Sequence, residues 1–97
     1  MIKITEKQFE VQVKELAQLK GWLYYHTWRS FHSPKGFPDC VMVRIRDRRL
    51  IFAELKAEGK KLTLEQLDWI NSLDIVDNVE TYLWHPSDWD SIVEILS

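Results

Sequence analysis

The chain is poor in residues that build a scaffold by cross-linking or punctuation. Its one cysteine, Cys40, lies inside an apolar run. That excludes a disulfide framework and a cysteine-based zinc site, and it suits a reducing compartment. Three glycines and three prolines leave no material for a flexible linker, so residues 1–97 are expected to form a single domain. No window approaches the roughly 18 uninterrupted apolar residues of a membrane helix. The start, MIKITEKQFE, lacks the apolar stretch of an export signal. A cytoplasmic protein with no membrane partner is expected.

Lysine and arginine are absent after position 61. Residues 1–61 carry 13 of them against 7 acids, a balance of +6, whereas residues 62–97 carry 8 acids and a balance of −8. Such a split allows a local polyanion-facing side on an otherwise acidic body, although solvated surface alone can produce it.

What is present alternates between helical and strand periods. Thr5, with Gln8 three residues on, reads as a capping box. Phe9, Val13, Leu16 and Ala17 follow at helical spacing, and Gly21 closes the helix. WLYYHTW (22–28) reads as a strand and RSFHSPKGFP (29–38) as a loop. CVMVRIR (40–46) and LIFAELK (50–56) read as a hairpin around the turn DRR. Thr63 and Gln66 form a second capping box, ahead of an inward stripe of Leu67, Ile70 and Leu73. VETYLW (79–84) is a fourth strand, and Ser87 caps a last helix with Ile92, Val93 and Leu96 inward. The order α-β-β-β-α-β-α gives an α/β domain with a mixed four-stranded sheet.

The hairpin raises a chemical question. Side chains alternate across a strand, so Glu54 and Lys56 share a face with Leu50 and Phe52, about 7 Å apart. A turn centred near residues 47–48 puts Asp39, which shares the face of Val41 and Val43, opposite positions 54 to 57. Two carboxylates and an amine thus converge at the open end. Buried carboxylates repel unless a cation lies between them. A divalent ion held by Asp39, Glu54 and the Leu55 carbonyl, with waters and phosphate oxygens, resolves the conflict. The plainer alternative is a structural ion pair from Lys56 to Glu54 or Asp39.

In order and spacing, TEKQF, GFPD, AELK, LTLEQ and the closing WHPSDWD resemble the virus-type replication-repair nuclease (VRR-NUC) branch of the PD-(D/E)xK nuclease superfamily, from about Thr5 to Asp90. The resemblance implies a restriction-endonuclease-like core and a nuclease of phage or prokaryotic origin. It would hydrolyse DNA with Mg²⁺ or Mn²⁺, leaving a 5′-phosphate, and act as a homodimer on branched DNA such as four-way junctions. Carried over, Asp39 and Glu54 would be metal ligands and Lys56 would act on the attacking water or the developing charge. Glu6, with Glu10 as the alternative, would be the acid of the first helix, and Gln66 the glutamine of the second. Gln66 also has a capping role that explains it without catalysis.

Around this core, Arg29 and Lys35 precede GFPD, where phosphate contacts are useful. Arg44, Arg46, Arg48 and Arg49 crowd the hairpin tip, where Arg46, Arg48 and Arg49 are expected to grip a DNA backbone, or simply to protect a strand edge. His26 reads as a packed strand residue and Trp69 as core. The aromatic strand 22–28 is the candidate dimer surface, since both of its faces carry rings. A non-catalytic DNA-binding module and a nicking or restriction-like nuclease remain the alternative readings.

Overall fold

The structure is a computed structural model that describes residues 3–28 and 31–97. Helix α1 (Glu6–Leu19) opens with the expected capping box: the Gln8 amide donates to Thr5 Oγ1 at 3.1 Å, and the Thr5 amide donates to Gln8 Oε1 at 2.8 Å. These bonds satisfy two donors that a helix start leaves unpaired. Phe9, Val13 and Ala17 are fully buried along one stripe. Gly21, at φ 85°, then releases the chain into strand β1 (Leu23–His26).

Strands β2 (Cys40–Arg44) and β3 (Arg49–Leu55) pair antiparallel, with Cys40 opposite Ala53 and Arg44 opposite Arg49. The connection differs from the expected DRR turn. Ile45–Asp47 form a 3-10 turn and Arg48 takes a left-handed φ of 55°. The cause is the Arg44 side chain, which turns inward and draws Asp47 back over the strand end (Nε–Oδ1 3.0 Å, Nη2–Oδ2 2.8 Å).

Helix α2 (Leu64–Asp74) starts at the second capping box, as Thr63 and Gln66 predict. Strand β4 (Val79–Trp84) runs parallel to β3, from Leu50 beside Val79 to Leu55 beside Trp84. The last helix, α3 (Trp89–Leu96), is not capped by Ser87. Pro86–Asp88 first make a 3-10 turn, because Asp88 Oδ2 accepts the His85 amide at 2.9 Å and delays the helix to Trp89.

The sheet order is β1-β2-β3-β4, a mixed four-stranded sheet flanked by three helices. One face, bearing Cys40, Met42, Ile51, Ala53 and Leu55, packs with Phe9, Val13, Ala17, Ile92 and Leu96 into the core. The opposite face carries Val41, Val43, Leu50, Phe52 and Glu54. On that side α2 contacts β4 and β3 only, so Leu67, expected to be buried, is 42 % exposed. The outer face of β1 and β2 is left open at Leu23, Tyr25 and Val43. No helix among the described residues is long and apolar enough to cross a membrane.

Two tip arginines turn inward. Arg44 is 3 % exposed and donates to the carbonyls of Lys20, Leu96 and Ser97 as well as to Asp47. Its guanidinium lies 4.4 Å from the centre of the Trp22 ring, whose Nε1 donates to Leu96 at 2.9 Å. Arg49 pairs with Glu80 at 2.7 and 2.8 Å and donates to the Ile95 carbonyl. A cation at a helix C-terminus meets the negative end of its dipole. Arg44 and Arg49 therefore tie α3 to the sheet, and their guanidiniums are occupied within the fold.

Candidate active site

At the open end of the hairpin, Asp39 Oδ2 accepts the Leu55 amide at 2.8 Å. With Cys40 opposite Ala53, Asp39 stands beside the segment Glu54–Lys56, as the alternation of faces predicts. Glu54 is 1 % exposed, and neither carboxylate oxygen has a hydrogen-bond partner among the described residues. Lys56 is half-buried and forms no ion pair among them. The plain structural alternative, a Lys56 salt bridge to Glu54 or Asp39, is thus not what the fold builds.

Burial pushes the Glu54 carboxyl up to about 9, with the adjacent Asp39 adding to the effect and Lys56 opposing it. A buried carboxylate lacking a partner is costly, and a second acid beside it makes the arrangement worse. The donor set suits a hard divalent cation: two carboxylates, with the Leu55 carbonyl at the end of β3 between Glu54 and Lys56 in sequence. Among the described residues no group of three or more His, Cys, Asp or Glu is placed to hold a metal. Two protein acids and a carbonyl leave coordination positions for water and phosphate, as Mg²⁺ prefers.

Asp39 is held by neighbours that sequence reasoning did not single out. The Thr27 amide donates to the Asp39 carbonyl at 2.8 Å, and Thr27 Oγ1 donates to the Pro38 carbonyl at 2.7 Å. On the other side Trp69 Nε1 donates to the Lys35 carbonyl at 3.2 Å, and the Phe37 ring meets Trp69 and Phe52 edge-on. Gly36 has φ 94°, and a Cβ there would lie 2.5 Å from the Glu65 carbonyl carbon. Only glycine lets the loop lie this close to the first turn of α2. The sequence signal was the glycine itself, read as loop punctuation.

The remaining candidates divide. Glu6 Oε1 accepts the Ala57 amide at 3.2 Å, which puts it at the end of β3 just past Lys56. Glu10 lies 3.1 Å from His26 Nδ1 instead. Gln66 Oε1 accepts the Thr63 amide at 2.9 Å, so this oxygen is occupied by the cap. Lys35, Arg46 and Arg48 are exposed, while Arg49 is held by Glu80. Arg46 and Arg48 sit at the far end of the hairpin from Asp39, about 17 Å away by strand rise. Arg29 lies outside the described residues. Cys40 is buried and its thiol is pushed up to about 12, chiefly by desolvation, which removes it as a nucleophile.

No protein-family model matches the chain, and comparison with curated proteins gives no match. Solved structures do match. One, named "VRR_NUC domain", is 20 % identical and superposes with a TM-score of 0.75 over 94 % of this chain and 97 % of that one. Another, named "VRR_NUC domain protein", is 14 % identical with a TM-score of 0.70, covering 98 % of this chain and 87 % of that one. The chain shares its fold with these two VRR_NUC domains over nearly its whole length.

Proposed function

We propose that the protein is a divalent-metal-dependent DNA endonuclease with a preference for branched substrates such as four-way junctions. The observation that carries this reading is Glu54: buried, without a hydrogen-bond partner, next to Asp39, at the end of a strand whose next outward residue is the unpaired Lys56. Two fold neighbours named as VRR_NUC domains support it.

Asp39, Glu54 and the Leu55 carbonyl would hold Mg²⁺ or Mn²⁺. When bound, the ion would polarise the phosphodiester and lower the pKa of water, making hydroxide available near neutral pH. The Leu55 amide fixes the rotamer of Asp39, and Thr27 fixes its backbone. Lys56 orients the attacking water or meets the charge that develops on the phosphate oxygens. Glu6, at the end of β3, is placed to steady a water on that side. No side chain need form a covalent intermediate, and the Cys40 thiol is buried and protonated.

Two copies supply two sites for symmetric cutting of a junction. The open face of β1 and β2, with Leu23 beside Val43 and Tyr25 beside Val41, is the surface for that pairing. The test is to incubate the protein with linear, flapped and four-way-junction DNA of matched sequence, in Mg²⁺, Mn²⁺ or EDTA. Cleavage with either metal, absent in EDTA and fastest on branched DNA, is the expected result. Absence of cleavage on every substrate in both metals overturns the reading.

A further inference from the structure

Two aromatic side chains next to the site have no role in the fold. Trp28 is 80 % exposed and Phe31 is fully exposed, although burying either ring would be favourable. Scattered exposed apolar residues are ordinary, but these two stand at a particular place. Trp28 directly follows Thr27, whose amide and hydroxyl hold the Asp39 and Pro38 carbonyls. One edge of the Trp28 ring is fixed by a T-shaped contact with His26, with centroids 5.3 Å apart, and His26 is in turn braced by Glu10. The ring is thus positioned by the fold while most of it stays in solvent.

The charge around the pair selects what would cover it. Between Thr27 and Pro38 the sequence holds Arg29 and Lys35 and no acid. An apolar partner protein gains nothing from that sign, whereas a polyanion with aromatic bases does. Every base presents a π-face, and proteins that hold single strands stack bases on exposed rings beside cationic side chains. Paired bases inside a duplex are already stacked on both faces and offer no such surface.

We propose that Trp28 and Phe31 form a nucleobase-stacking element that takes unpaired bases of DNA beside the Asp39 end of the hairpin. The proposal rests on the DNA-cleaving reading and deepens it. Preference for branched DNA would then come from the bases that a flap or an open junction leaves unstacked. Affinity would be gained on those structures and not on intact duplex.

The experiment measures binding in EDTA, where no cleavage occurs, using wild type, Trp28→Ala, Phe31→Ala and Trp28→Phe. The probes are a flapped DNA carrying 2-aminopurine in its unpaired arm and a blunt duplex of the same sequence. Each alanine variant is expected to weaken flap binding by about tenfold and to lose the 2-aminopurine quenching. Duplex binding should be nearly unchanged, and Trp28→Phe should keep most of the affinity. Flap binding that survives both alanine substitutions overturns the proposal, as does a loss shared equally by the duplex. Because both rings are exposed, the variants should melt with wild type, and Phe31→Ala serves alone if Trp28→Ala does not fold. Failure of the nuclease reading appears separately, as wild-type protein that binds these probes but cuts no DNA in Mg²⁺ or Mn²⁺.

Discussion

Asp39 and Leu55 are joined across the mouth of the hairpin by one bond, the Leu55 amide donating to Asp39 Oδ2 at 2.8 Å. That contact ties the acid that starts β2 to the strand carrying Glu54 and Lys56. It also explains why the acid stays beside Glu54 despite like charge. A charge-assisted bond to a backbone amide offsets part of the repulsion. Removing either acid should therefore affect cleavage far more than folding. Asp39→Ala, Glu54→Gln and Lys56→Ala are each expected to lower the cleavage rate by about a hundredfold or more, with unchanged circular dichroism. Wild-type rates from Asp39→Ala would remove the site.

Stability without metal should depend on pH through Glu54. Its carboxyl is raised in the folded state, so its contribution is complete below the ordinary carboxylate range. It is lost as pH rises from about 4.5 to about 9. In EDTA, wild type should melt lower at pH 9 than at pH 6, and Glu54→Gln should flatten that dependence and melt several degrees higher at pH 9. Adding Mg²⁺ should raise the wild-type midpoint more than that of the variant. Identical pH profiles for the two proteins would contradict the burial argument.

Asp47 and Glu80 shift the other way, held low by Arg44 and Arg49. Their contribution is present above the ordinary carboxylate range and fades below it. Acid melts should show this loss, and Glu80→Gln should reduce it.

Gly36→Ala tests the loop. The left-handed φ and the close approach to Glu65 both oppose a side chain, so a loss of roughly 1–3 kcal/mol is expected. Because the loop leads into Asp39, the concentration of Mg²⁺ needed for half-maximal cleavage should also rise. Thermal melts and a metal titration check the two effects.

The four tip arginines should separate into two classes. Arg44→Met should destabilise by about 2–4 kcal/mol, because three backbone carbonyls and Asp47 lose a buried donor. Arg46→Glu and Arg48→Glu should stay within about 0.5 kcal/mol of wild type in stability. They should weaken DNA binding at all sequences and reduce its salt dependence. Denaturant melts and titrations at two salt concentrations distinguish the classes.

Light scattering should give a mass of two chains at micromolar concentration, and Tyr25→Lys should reduce it to one. A single-chain mass for wild type, with or without junction DNA, would end the dimer proposal.

Much of this arrangement was determined locally. Both capping boxes, the alternation that puts Glu54 and Lys56 on one face, and the placing of Asp39 opposite them follow from short-range spacing. Steric alternation and hairpin pairing leave few other solutions. What lay beyond the sequence depended on contacts between distant segments. Four arginines in one hexapeptide look alike, yet Arg44 and Arg49 turn inward because the ends of α1 and α3 bring carbonyls and Trp22 to them. Leu67 fits the inward helical stripe but is partly exposed, since α2 covers only the β3–β4 side of the sheet. Gly36 and Trp69 acquire their roles only when α2 meets the loop before Asp39. Local periodicity states which face a side chain occupies; what faces it, and so whether a charge is solvated, paired or left alone like Glu54, is decided by tertiary packing.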